Sequence, residues 1–193
     1  PSFSLSYYNP NLDYKNNLFF RTSFRYANIT NKSRIAKELY GANFSQKSIG
    51  MSLLVGKWLD LFNRIYAVTS YSYIETPFYI PGVNASDNRI DNLLDVGIGY
   101  EHDTRDLAQF PKNGIFSSVS YNLRGLGIDG INYSVGRIDF REYRKFFYNL
   151  ISKWRFSTRV TFGDNVPYYD CSIIGLDEKV RGHLTEKIEG KEF

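Results

Sequence analysis

Polar and apolar residues alternate along most of this 193-residue chain. A period of two sets successive side chains on opposite faces of an extended strand. Phe3, Leu5 and Tyr7 stand against Ser2, Ser4 and Ser6. Leu18, Phe20, Phe24 and Tyr26 stand against Arg21, Ser23 and Arg25, and Ile49, Met51, Leu53 and Val55 against Ser48, Gly50, Ser52 and Gly56. A fourth segment, about 65–75, is mixed. The fifth sets Leu94, Val96, Ile98 and Tyr100 against Asp95, Gly97, Gly99 and Glu101. The sixth sets Ile115, Val119, Tyr121 and Leu123 against Ser118, Ser120, Asn122 and Arg124. A seventh, about 131–143, changes phase midway, as a β-bulge would make it do. The eighth sets Trp154, Phe156, Val160 and Phe162 against Arg155, Ser157 and Arg159. Eight such segments with no convincing helix predict an all-β antiparallel meander.

Alternation alone fits two architectures. A soluble sandwich or lipocalin-like barrel turns its apolar face to a core, whereas a barrel in lipid turns it outward around a polar lumen. Three features favour the second. Glycines fall on the polar face (Gly50, Gly56, Gly97 and Gly99), which suits a crowded lumen. Aromatic residues gather at strand ends (Tyr7, Tyr8, Tyr26, Trp58, Tyr66, Tyr71, Tyr73, Tyr100, Tyr143 and Trp154), as an interfacial girdle requires. Connections alternate in length: 9–17, 57–64, 110–114 and 145–153 are short, while 27–47, 76–92 and the stretch from 168 onward are long. The Gly-rich turn at 125–130 is the exception. Short periplasmic turns opposite long external loops are a habit of membrane barrels.

Composition narrows the chemistry. The chain is 42% hydrophobic and 17% aromatic, with a mean hydropathy of −0.37. No run approaches the roughly 18–20 apolar residues of a membrane helix, and the stretch 51–56 is broken by Ser52. A membrane strand needs only about 9–11 residues. The single cysteine, Cys171, excludes an internal disulfide. A net charge of +4 with dispersed Lys and Arg gives no nucleic-acid footprint. No nucleotide loop, zinc spacing or catalytic carboxylate pair stands out, and His102 and His183 lie far apart in sequence, so neither an enzyme nor a metal or other cofactor is expected. Arg21, Arg25, Arg124, Arg137, Arg155 and Arg159 on polar faces read as lumen charges paired across strands, with a selectivity ring as the sharper alternative. Phe19 and Leu54, also on polar faces, would meet a plug or loop. The chain opens at Pro1 already in strand pattern and stops at Phe193 within a loop, so it reads as an internal stretch of a longer protein.

Two local patterns carry more. Asp103-Thr104-Arg105-Asp106, followed by Pro111 and Gly114, joins the fifth strand to the sixth. Pro fixes φ, Gly admits an unusual φ, and Asp bonds nearby backbone, so the stretch is a turn in its own right. Val180-Arg181-Gly182 follows the eighth strand within the last long loop. In this order and spacing, with three strands between them, the patterns resemble the Omp85 superfamily (bacterial surface antigen family), whose barrel carries a D-x-R-D…P-x-x-G turn and later a loop tipped V-R-G-aromatic. Gly175 and Gly190 fit the same habit, while His183 departs from the family's aromatic.

The resemblance implies a transmembrane antiparallel β-barrel of the bacterial outer membrane, this chain supplying about eight strands, the fourth to the eleventh of sixteen. It implies soluble POTRA domains before the chain, a sixth external loop folding into the lumen, and Arg181 bound there to a carboxylate on a strand beyond Phe193. Asp95 and Glu101 are the weaker candidates within the chain. The implied function is that of a BamA-type factor inserting client outer-membrane proteins, its barrel seam templating their strands. The implied partners are the lipid bilayer, those clients, and accessory lipoproteins held by the POTRA domains. Alternatives are a protein-translocating pore (two-partner secretion or TamA-like), the barrel of an enzyme-linked relative and, outside the family, a passive porin.

Overall fold

The computed structural model describes residues 1–30, 37–38, 41, 44–79, 81, 83–147, 150–163, 166–170, 172–174 and 188–190. Eight long strands follow one another as β1 (Ser2–Asp13), β2 (Leu18–Thr30), β3 (Ser45–Trp58), β4 (Asn63–Glu75), β5 (Ile90–Asp103), β6 (Gly114–Arg124), β7 (Tyr133–Lys145) and β8 (Ile151–Phe162). Each pairs antiparallel with the next, in the order β1 to β8, as one open meander. Beyond it, β9 (Ser172–Ile174) and β10 (Ile188–Gly190) form a short antiparallel pair.

Register fixes which side chains share a face. The row Val55, Ala67, Ile98, Tyr121 runs across four strands, beside the row Leu53, Thr69, Val96, Leu123. On the opposite face run Ser6, Ser23, Ser52, Ser70 and Asp95. The two faces are chemically opposite, as the alternation predicts. Phe3, Leu5, Met51, Ile98, Trp154 and Phe156 are all exposed on the apolar face, Ile98 to 67%. A contiguous apolar belt of this extent has no place on a surface that faces water.

One cluster of buried apolar residues lies at one end of the polar face. Ile74, Leu93, Ile131, Tyr133 and Val135 cluster there with Ala85, and Val166 and Tyr169 pack on them. This corrects the bulge expected in the seventh strand. The pairings β6–β7 and β7–β8 run without interruption, and the sheet's register shift lies instead between Asn9 and Asp13. The phase of β7 changes because Tyr133 and Val135 are apolar members of the polar face, kept from water by the segments folded over them.

Connection lengths need correction at four places. β1 runs on to Asp13, leaving only 14–17 as its turn. The β3–β4 and β7–β8 turns shrink to 59–62 and 146–150. The β5–β6 connection, expected at 110–114, spans 104–113 and is longer than the 125–132 link at the other end. Its length is taken up by internal hydrogen bonds, described below. The aromatic girdle is also smaller than expected, because register puts Tyr8, Trp58, Tyr66 and Tyr143 on the polar face. There rings cover glycines: a Cβ built on Gly99 would fall inside the Tyr66 ring. Phe19, expected to meet a plug or loop, packs among side chains of the sheet itself. It is 2% exposed, beneath Tyr8, Trp58 (ring centroids 5.5 Å apart) and the Arg64 guanidinium at 5.7 Å.

Candidate functional site

The polar face carries a charge network built by five strands. Arg64 on β4 pairs with Glu101 on β5 at 2.5 Å. Asp139 on β7 accepts from both Arg141 and Arg155, at 2.5 and 2.8 Å. Arg124 at the end of β6 binds Asp95 at 2.6 Å, and Asp95 also accepts from Ser70 Oγ and the Gly125 N–H. Asp95 and Glu101 are therefore already engaged within the chain.

The acid that completes the network comes from outside the sheet. After β8 the chain turns back over the polar face and closes a 3-10 turn, Tyr168–Asp170, in which the Asp170 N–H donates to Pro167 O at 3.0 Å. Arg159 on β8 donates to an Asp170 carboxylate oxygen at 2.7 Å and to its backbone oxygen at 2.5 Å. Arg124 approaches the same carboxylate at 3.2 Å, and the Tyr133 hydroxyl donates to it at 2.8 Å. Asp170 is 7% exposed, a burial that the two guanidiniums and the phenol make tolerable. Next to it the Tyr169 hydroxyl donates to Asp91 Oδ2 at 2.8 Å. Burial beside that carboxylate holds the Tyr169 phenol well above its ordinary range. Asp91, wholly buried, also accepts from the Ala85 and Ser86 N–H groups at 2.9 Å each and from Ser86 Oγ at 2.6 Å. One carboxylate thus folds the β4–β5 connection and ties it to the segment after β8.

The turn motif sits at the other end. Arg105 grips Asp103 through two nitrogens, at 2.8 and 2.7 Å, and lies 4.6 Å over the Phe116 ring, with Arg141 at 5.1 Å from the same ring. Asp106 Oδ1 accepts from the N–H groups of Leu107 and Lys112, each at 2.9 Å. Those backbone donors hold its carboxyl below the ordinary carboxylate value. Gly114 opens β6 at φ +110°, its backbone against Thr104. The arrangement closes a ten-residue connection into a rigid cap. Pro111 lies within it, half-buried.

The sequence matches the family described as the Omp85 superfamily domain over residues 1–192. The chain belongs to the Omp85 superfamily. Among solved structures it is similar to BamA from Haemophilus ducreyi lacking POTRA domains 1–3, with a TM-score of 0.69 and 19% identity. That likeness covers 94% of this chain and 37% of the other, so the chain spans little more than a third of it. No curated protein matches the sequence.

As an Omp85 barrel segment, the meander has its polar face as lumen and its apolar face as outer wall. Alternation located that wall and placed all six arginines on the lumen side. Among them, Arg124 and Arg155 pair across strands as expected, with Asp95 and Asp139, whereas Arg159 takes its carboxylate, Asp170, from outside the sheet. The D-x-R-D residues Asp103, Arg105 and Asp106 come together with Gly114 as a turn. The second motif, Val180, Arg181 and Gly182, lies outside the described residues, as do His183 and Cys171. Asp91, Tyr169 and Asp170 were missed. Nothing next to them in sequence marks them out. The only available signal was an arginine excess on the lumen faces, which requires acids from elsewhere.

Proposed function

We propose that the protein is an outer-membrane assembly factor of the BamA type, seated in the bacterial outer membrane and without enzymatic activity. The observation that carries this is the return of the segment after β8 onto the lumen face, where Asp170 sits between Arg124 and Arg159. That segment leads into the V-R-G stretch, and a loop with its base held in the lumen supports a tip that folds inward rather than into solvent. In this reading Arg181 binds a carboxylate on a strand beyond Phe193, because a guanidinium inside a barrel needs an acceptor and pairs best as a bidentate fork. The eight strands are the fourth to eleventh of sixteen, preceded by POTRA domains that recruit accessory lipoproteins. Lipid covers the apolar wall. The seam strands lie outside this chain, and their unpaired N–H and C=O groups template client strands, since such groups are costly to leave unsatisfied in lipid.

Complementation tests the assignment. Full-length protein is expressed in cells depleted of their resident assembly factor, and the heat-modifiable forms of several client barrels are followed. Rescue is expected, with loss of rescue in Arg181→Ala. Normal client assembly without the protein, together with failure to export one dedicated secreted partner when it is deleted, identifies a translocating pore instead.

A further inference from the structure

We infer that the outer wall carries a binding furrow for a phospholipid, whose acyl chain lies along β4 and whose phosphate sits on Lys57. Ala67 on β4 stands between Val55 and Ile98, with Tyr121 beyond, and is short beside all three. In the next row toward the other end of the sheet, Thr69 stands between Leu53 and Val96. The Thr69 hydroxyl donates to Asp95 O at 3.1 Å, so it leaves no unmet polar group in the furrow. Two adjoining hollows of about 460 and 620 Å³ result, both edged by Val55, Ala67, Ile98 and Tyr121. One end of the furrow is charged. Lys57 follows Val55 on the same face of β3, between Leu18 and Ile65, and lines the larger hollow. It is exposed, and its ammonium makes no ion pair among the described residues. The acids near this end are engaged elsewhere. Glu101 is on the lumen face with Arg64, and Asp60 accepts from the Phe62 and Asn63 N–H groups at 2.7 and 2.8 Å. A lysine on a lipid-facing wall lays its stem along the apolar surface and carries its charge to the headgroups, where phosphate is the available anion. From Lys57 back to Leu53 the strand covers roughly 13 Å. An acyl chain that starts from a headgroup on Lys57 therefore runs through both hollows. Lys57 lies at the same end of the sheet as the 104–113 connection, the periplasmic end in the proposed topology. That choice of end makes the ligand a phospholipid of the inner leaflet rather than a lipopolysaccharide.

This inference rests on the proposed seating in the outer membrane, with lipid over this wall, and the experiment separates the two. Full-length protein is reconstituted into phosphatidylcholine vesicles doped with phosphatidylglycerol that carries a diazirine in one acyl chain. After illumination, adducts are mapped by peptide mass spectrometry, and heat-modifiable migration reports whether each variant is folded. Adducts are expected to concentrate on 65–69 and 94–100, in excess of those at Leu5 and Phe156 elsewhere on the same wall. Lys57→Gln lowers the excess about fivefold, the scale of one lysine beside a headgroup, and Lys57→Arg retains it. Ala67→Phe fills the furrow and removes the excess. A diacylglycerol with the same diazirine chain and no phosphate gives none. Even labelling along the wall, or an excess that neither Lys57→Gln nor Ala67→Phe changes, indicates an ordinary lipid annulus and overturns the site. Displacement of the probe by lipopolysaccharide but not by unlabelled phosphatidylglycerol overturns the choice of ligand. Paired copies in native mass spectrometry that Ala67→Phe separates give the furrow to a second copy of the chain and overturn the lipid site. Adducts at neither Leu5, Phe156 nor the furrow show that lipid does not cover this wall, so that the membrane seating is what failed.

Discussion

Tyr169 donates its hydroxyl proton to Asp91 across 2.8 Å, joining residues 78 positions apart. That contact, with the Asp170 network beside it, makes the β4–β5 connection and the segment after β8 one folded rim. Replacing Asp91 by Ala leaves the Ala85 and Ser86 N–H groups buried without an acceptor. The expected cost is about 2–5 kcal/mol. Limited proteolysis of refolded protein is expected to cut first within 83–89 in the variant, and an unchanged cleavage pattern would contradict the role given to Asp91.

Lipid contact should follow register along β5. Spin labels at Val96, Ile98 and Tyr100 are expected to collide with an apolar quencher, and labels at Gly97 and Glu101 with an aqueous one. Equal aqueous accessibility at all five positions would rule out lipid on the apolar wall.

Topology should place the two ends on opposite sides of the membrane. Cysteine at Asp87, exposed in the β4–β5 connection, is expected to react with an impermeant reagent on intact cells. Cysteine at Lys112, in the β5–β6 turn, should react only after the outer membrane is permeabilised. The reverse pattern would invert the barrel.

The β5–β6 turn should respond to acid through Asp106. Backbone hydrogen bonds from Lys112, Asn113 and Leu107 lower its carboxyl pKa. A lowered folded-state pKa means that its stabilisation is complete above the unfolded value of 3.8 and is lost as pH falls through the lower folded value. The stability difference between wild type and Asp106→Asn should therefore shrink on acidification below that range. A difference that stays constant across it would show that the charge of Asp106 contributes nothing.

Glycine is required where faces crowd. A Cβ at Gly56 would lie 2.7 Å from Ile65 O and within the Phe19 ring, and one at Gly114 would add a left-handed φ of +110° to a contact 2.7 Å from Arg105 Cα. Gly56→Val and Gly114→Ala are each expected to cost about 1–3 kcal/mol. Gly136→Ala, with no atom nearer than 3.9 Å, should be near neutral. Urea unfolding in detergent micelles distinguishes them, and equal midpoints for Gly56→Val and Gly136→Ala would refute the crowding argument.

The sequence by itself determined the strands, their order and the two-faced wall, because a strand's faces are written locally, residue by residue, with a period of two. It also marked the turn motif, whose Asp103–Arg105 and Asp106–Lys112 bonds span only a few residues. Tertiary structure decided the rest. Tyr66 and Trp58 look like girdle residues by position, yet register turns them inward, Tyr66 over Gly99 and Trp58 against Phe19. The phase change of β7 is a buried apolar patch rather than a bulge, visible only once Val166 and Tyr169 lie on it. Asp170 finds Arg124 46 residues away, and Tyr169 finds Asp91 78 away. A charge has no periodicity to announce its partner. What pairs it is the return of the chain after β8 over the polar face, which brings a segment that sequence shows only as a loop within reach of β5, β6, β7 and β8.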